Sequence, residues 1–168
     1  MQNFKQFLKE NEYIEITDKD LVNGKLTKQY PDIKGDFDCS DIHLISLEFA
    51  PQSVEGYFDC SRTNITSLEF APKFVGGFFN CSSTKITSLK GIGKNYLKEV
   101  KDYIGFLSCR ELKSNMLGLL LVKGLQEIEF NIKEEIEKIF NRHLTGERDI
   151  LDCQEELITK GFKEYAKL

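Results

Sequence analysis

Three consecutive stretches of this chain write out one 21-residue unit without a gap: GDFDCSDIHLISLEFAPQSVE (35–55), GYFDCSRTNITSLEFAPKFVG (56–76) and GFFNCSSTKITSLKGIGKNYL (77–97). Gly35, Gly56 and Gly77 coincide, as do Phe37, Phe58 and Phe79, then Cys39, Cys60 and Cys81. Leu44, Ile65 and Ile86 fall in register next, followed by Leu47, Leu68 and Leu89. A fixed period of this size restricts the chain to stacked architectures in which each unit buries its apolar face against the next. A fourth, degenerate copy is expected from Gly105, where GFLSCR echoes GFFNCS after one period plus a seven-residue insertion around KEVKDYI. Upstream, Leu26 stands one period before Leu47 and Ile33 one period before Val54.

Inside a copy the apolar spacing is Phe58-x-Cys60-x-x-Thr63-x-Ile65-x-x-Leu68, followed by Pro72. The period of two at Phe58 and Cys60 predicts a short strand with both side chains pointing inward. The wider spacing after it predicts a turn and a return segment. Pro51 and Pro72 keep that return out of a central strand or helix interior. A coil of this length leaves little room for a full α-helix on its return side.

The pattern resembles the leucine-rich repeat family in its short bacterial variety, over residues 14–130. Phe and Cys stand where that family has strand leucines, and Ile42, Thr63 and Thr84 stand at its usual Asn turn position. Thr at that position supplies part of the Asn hydrogen bonding. The wording GDFDCS…ITSLE.AP and the tail DILDCQEELITKGFKEYA are similar to small leucine-rich repeat proteins encoded by tailed bacteriophages. The expected fold is α/β, a leucine-rich-repeat-like solenoid with a curved parallel sheet. Its ends are an N-terminal helix and hairpin cap (1–34) and a C-terminal helical hairpin (131–168), around a solenoid at 35–130.

The ends carry their own signals. Phe4, Phe7 and Leu8 share one face of a short helix, YIEIT (13–17) alternates like a strand, and Asn23-Gly24 predicts a type I′ hairpin. MLGLLLVKGLQEIEF (116–130) is expected to close the sheet as one or two last strands. Beyond Asn131 the period becomes helical: Ile132, Ile136, Ile139 and Phe140 form one stripe. Ile150, Leu151, Leu157 and Ile158 form a second, ended by Gly161.

Composition narrows the function classes. Lys and Arg number 23 against 27 Asp and Glu, so no basic excess exists to neutralise a nucleic-acid backbone. The longest apolar run, Met116 to Val122, is far short of a membrane span, and MQNFKQFLKENEY lacks the apolar stretch of a signal peptide. The expected location is a cytoplasm, the host's if the chain is phage-encoded. The five cysteines show no CxxC or Cys/His ligand spacing. Cys39, Cys60 and Cys81 read as a buried column of reduced thiols that Cys109 extends, and Cys153 reads as packed in the last helix. His43 and His143 have no nucleophile motif beside them, and no GxSxG, Walker or HExxH pattern occurs. No enzyme activity, cofactor or metal is expected.

The remaining candidates are the residues between the inward positions. Asp38, Asp59 and Asn80 form one column on the concave sheet face, Asp36, Tyr57 and Phe78 a second, and Ser40, Ser61 and Ser82 a third. Two stacked carboxylates are thin ligation for calcium, which leaves a solvated face or a binding face. Concave solenoid surfaces commonly serve protein recognition. The expected function is therefore non-enzymatic binding of a host or phage protein through Asp36, Asp38, Tyr57, Asp59, Phe78 and Asn80. A structural or assembly component of a phage particle or larger complex is the alternative, and an enzyme or small-ligand binder using the acidic concave columns is a third.

Overall fold

The computed structural model describes residues 13–131 and 133–168. The expected N-terminal helix with Phe4, Phe7 and Leu8, and the helical position Ile132, lie outside the described residues. In chain order the strands are β1 (Tyr13–Glu15), β2 (Leu21–Val22), β3 (Lys25–Leu26), β4 (Asp36–Asp38), β5 (Ser53–Val54) and β6 (Phe58–Asp59). They continue with β7 (Phe74–Val75), β8 (Phe79–Asn80), β9 (Glu99–Val100), β10 (Tyr103–Gly105) and β11 (Glu127–Glu129). Helices α1 (Glu134–Thr145) and α2 (Ile150–Thr159) follow.

The repeat dictates the architecture. β1, β4, β6, β8, β10 and β11 pair in that order as one parallel sheet, with five turns of chain between its six strands. On the return side β5, β7 and β9 make a second parallel sheet, and Ile33 bridges Val54 one period earlier. No α-helix occupies the return. Phe37, Phe58 and Phe79 stack through the interior with ring centroids 5.3 and 5.4 Å apart. Cys39, Cys60 and Cys81, Leu44, Ile65 and Ile86, and Leu47, Leu68 and Leu89 form further columns with no exposed surface. Full burial of each such side chain contributes roughly 1.5–3 kcal/mol, so the core is held by repetition of a few columns.

Local chemistry shapes each coil. Thr63 and Thr84 donate through Oγ1 to the carbonyls of Cys60 and Cys81, both at 2.8 Å, which supplies the hydrogen bond expected at the turn. Gly76 is required by close approach: a Cβ there would stand 2.0 Å from the Glu55 carbonyl oxygen of the coil below. The hairpin β2–β3 turns on Asn23 and Gly24, with φ of 51° and 73°, the left-handed pair a type I′ turn demands.

Two expectations are corrected. The fourth copy does not start at Gly105. β10 pairs Ile104 with Phe79 and Gly105 with Asn80, so the coil begins three residues earlier, at Asp102. The inward period-two pair is Ile104 and Phe106, and this periodicity overrides the chance identity of GFLSCR with GFFNCS. Cys109 therefore does not extend the cysteine column; it takes the place of Thr84, with Sγ 3.1 Å from the Cys81 carbonyl oxygen. The 116–130 segment closes the sheet with one last strand, β11, within the expected one or two, and its Met116–Leu121 part is a 3-10 helix. Met116 to Leu120 are all buried, a pattern that a strand with one exposed face cannot provide.

The far end is closed by the helical hairpin. Ile136, Ile139, Phe140 and Leu144 of α1 are buried, and the Phe140 ring meets Phe130 edge-on at 5.9 Å. Asp149 caps α2 by accepting from the backbone N–H groups of Leu151 and Asp152, and Gly161, at φ 85°, follows its end.

Candidate binding face

Each coil of the six-stranded sheet offers two outward positions, one on each side of its inward residue. In sheet order they are Tyr13 and Glu15, Asp36 and Asp38, Tyr57 and Asp59, Phe78 and Asn80, Tyr103 and Gly105, then Glu127 and Glu129. Six of these twelve residues are acidic, four are aromatic and none is basic. The register thus brings together all six predicted residues and adds Tyr13, Glu15, Tyr103, Glu127 and Glu129. The YIE alternation of β1 and the period-two reading of Ile104 and Phe106 are the sequence signals that place the additions.

The rings form a ladder. Tyr57 lies on Phe78 at 4.7 Å and Phe78 on Tyr103 at 5.1 Å, nearly parallel in each case. Each ring covers part of its neighbours, so Tyr57, Phe78 and Tyr103 are half-buried and not fully turned to water.

The Asp and Asn column is more constrained than a free acidic row. Oδ1 of Asp38, Asp59 and Asn80 accepts from the backbone N–H of Ser40, Ser61 and Ser82 at 2.9, 2.8 and 3.1 Å. These are Asx turns, the physical reason for an Asp or Asn two residues before each serine. Asn80 also donates through Nδ2 to Asp59 Oδ2 at 3.1 Å, and Asp36 Oδ1 accepts from Tyr57 N–H at 2.9 Å. The serine column is not part of the face: Ser61 is buried, and Ser82 Oγ accepts from Leu107 N–H.

The field of the face is negative throughout. Burial, with Asp38, Tyr57 and Glu15 around it, pushes Tyr13 up to about 12. Burial and the carboxylates of Asp36 and Asp38 raise Tyr57, and burial with Glu129, Asp59 and Asp102 raises Tyr103. Glu129 is itself raised by burial and by Glu127 and Glu137. None of the twelve outward residues is a cation; Arg62, beside the face and paired with Asp41, interacts with Asp38 and Asp59.

Other chemistry-bearing groups are dispersed. Burial holds Cys39, Cys60 and Cys81 well above an ordinary thiol and Cys153 up to about 12. Cys109 is drawn down to about 6 by hydrogen bonds from the Cys81 thiol and from Thr84, against burial. Only 1% of its surface is exposed. His43 pairs with Asp18 and His143 with Glu156. Among the described residues no group of three or more His, Cys, Asp or Glu side chains is placed to hold a metal, and no helix is long and apolar enough to cross a membrane. The chain matches no family model, no curated protein and no solved structure.

Proposed function

We propose that this chain is a non-enzymatic protein-binding repeat protein of the leucine-rich repeat kind, and that the outward face of its six-stranded sheet engages a basic patch on another protein. One observation carries this reading: twelve adjacent outward positions hold six carboxylates and four rings without a single base. Aromatic side chains anchor protein interfaces, and a Lys or Arg over such a ring gains a cation–π contact as well as its carboxylate partners. A partner of that chemistry adds positive charge beside twelve outward residues that carry none. The sequence likeness to small tailed-phage repeat proteins supports a host or phage protein as the partner, with antagonism of a host factor as one form.

The test uses paired baits. The intact chain and a Tyr57→Ala/Phe78→Ala version are compared in host and infected-cell extracts. The expected result is a protein with a basic surface patch captured by the first and lost by the second. Equal capture by both removes the sheet face from the interface.

A further inference from the structure

The return side carries a cleft separate from the sheet face. Its origin is a four-residue insertion in the third copy. Ala71 and Ile92 are equivalent, each donating its N–H to the carbonyl of the leucine three residues earlier, whereas Pro72 is matched by Leu97, whose N–H reaches the Pro72 carbonyl. Gly93, Lys94, Asn95 and Tyr96 are therefore extra. In repeat proteins such insertions project from one face, commonly the binding face.

The insertion is held in shape. Asn95 N–H donates to the Gly91 carbonyl at 2.8 Å, Gly93 N–H to the Tyr96 carbonyl at 3.0 Å, and the Tyr96 hydroxyl to the Lys90 carbonyl. Gly91, at φ 94°, makes the fold-back possible, because a Cβ there would stand 3.0 Å from Asn95 Nδ2 and 3.1 Å from Tyr96 Cε1. The first two copies place Phe49 and Phe70 at this same left-handed corner, with φ of 72° and 68° and 40% and 48% exposure. A bulky residue at positive φ is strained, and exposed rings gain little from the core. Gly91 shows that the coil accepts glycine there, so folding does not require the Phe70 ring.

Between Phe70 and the insertion lies a half-open cleft of about 480 Å³, lined by Gln52, Glu69, Phe70, Lys90, Asn95 and Tyr96. The side chains of Gln52, Glu69, Lys90 and Asn95 have no hydrogen bond or ion pair from any described residue. Two amides that both donate and accept, one carboxylate and one ammonium thus stand around an exposed ring face, with no net charge. A small pocket with a few convergent polar groups is the usual form of a ligand site.

The geometry points to a small saccharide as the ligand of this cleft. Vicinal hydroxyls match a mixed set of donors and acceptors, a neutral molecule matches the balanced charges, and the C–H face of a sugar ring lies against Phe70. An amino acid would use Glu69 and Lys90 but leave both amides unmatched.

The test is titration of the isotopically labelled chain, followed by backbone amide shifts. The probes are glucose, galactose, mannose, N-acetylglucosamine, cellobiose, lactose and chitobiose, each up to about 50 mM, well past millimolar affinity. Glycine and phenylalanine form the comparison panel. At least one sugar is expected to shift the amides of 52, 67–71 and 90–96, and to do so at least tenfold more weakly in Phe70→Gly and Asn95→Ala. Phe70→Gly is expected to fold, which its dispersed spectrum will show. Three results overturn the assignment: no sugar moves these amides, a sugar binds Phe70→Gly and Asn95→Ala as it binds the parent, or the amino acids bind more tightly than every sugar.

Discussion

Asp59 illustrates how one residue serves both the coil and the face. Its Oδ1 holds the Ser61 N–H and its Oδ2 accepts from Asn80, while the carboxylate adds to a face without bases. Asn80 makes the same Asx bond one coil later without a charge, so the Asx-turn role and the charge are separable. Asp59→Asn is expected to keep the parent stability within about 0.5 kcal/mol, the range of benign surface changes. Asp59→Ala loses two hydrogen bonds and should cost about 1–2 kcal/mol in urea unfolding. If both variants unfold alike, the Asx turn does not stabilise the coil. The thiols make a second test at this scale. All five cysteines are buried, including Cys109, whose lowered proton affinity has no route to reagent. Reactivity needs a thiolate and access together. Native-state titration with a thiol reagent, read by mass spectrometry, should label none of the five, and labelling must rise in step with unfolding. Rapid labelling of Cys60 would mean that the inward register is wrong.

The elements at the C-terminal end do two jobs, covering apolar surface and satisfying an open strand edge. Asn141 of α1 accepts from the Ile128 N–H at 2.8 Å and donates to the Ile128 carbonyl at 2.9 Å, as a further strand would. Glu137 accepts from the Phe130 N–H at 2.7 Å, and Arg148 reaches the carbonyls of Val122, Leu125 and Leu144. An unpaired parallel edge templates aggregation. Asn141→Ala is expected to cost about 1–3 kcal/mol, the penalty for buried backbone groups left without partners, and to lower the concentration at which the chain aggregates. Deletion of 131–168 adds the exposure of the surface under Ile136, Ile139 and Phe140. A 1–130 fragment that melts cooperatively at the parent temperature would show that the hairpin stabilises nothing. These elements also show what a sequence can and cannot convey. The hairpin at Asn23-Gly24, the period-two strands and both helices were legible because turn chemistry and periodicity are local. The 3-10 helix at 116–121 was not, since an unbroken apolar run has no period to read. The start of the fourth coil was misread because residue identity competed with inward spacing, and spacing decides which side chains the core accepts.

Across the whole molecule the charge is uneven, and its unevenness is what a partner would sense. Residues 35–76 carry seven acids and two bases, whereas 77–97 carry three lysines and no acid. The sheet face gathers acids from both ends of the stack, Glu15 at one edge and Glu127 and Glu129 at the other. The centre of the face was legible in the gap-free repeats. Its edges depended on strand register outside them, so Tyr13, Glu15, Tyr103, Glu127 and Glu129 were missed. Those edges supply the cleanest test, because the side chains of Glu15 and Glu127 make no hydrogen bond or ion pair among the described residues. Rim charges chiefly set the association rate, whereas buried rings set the lifetime of a complex. Glu15→Lys and Glu127→Lys are therefore expected to slow association with a basic partner and flatten its salt dependence, with little change in dissociation or melting temperature. Tyr57→Ala and Tyr103→Ala are expected to speed dissociation and cost about 2 kcal/mol or more of affinity. Asp59→Asn should behave as a rim change, since it keeps the Asx turn and removes the charge together with the one hydrogen bond from Asn80. Stopped-flow or surface-based kinetics at two ionic strengths separates the rates. If the lysine variants leave the association rate and its salt dependence untouched while the alanine variants leave dissociation untouched, the partner docks elsewhere, on the return side or on the C-terminal helices.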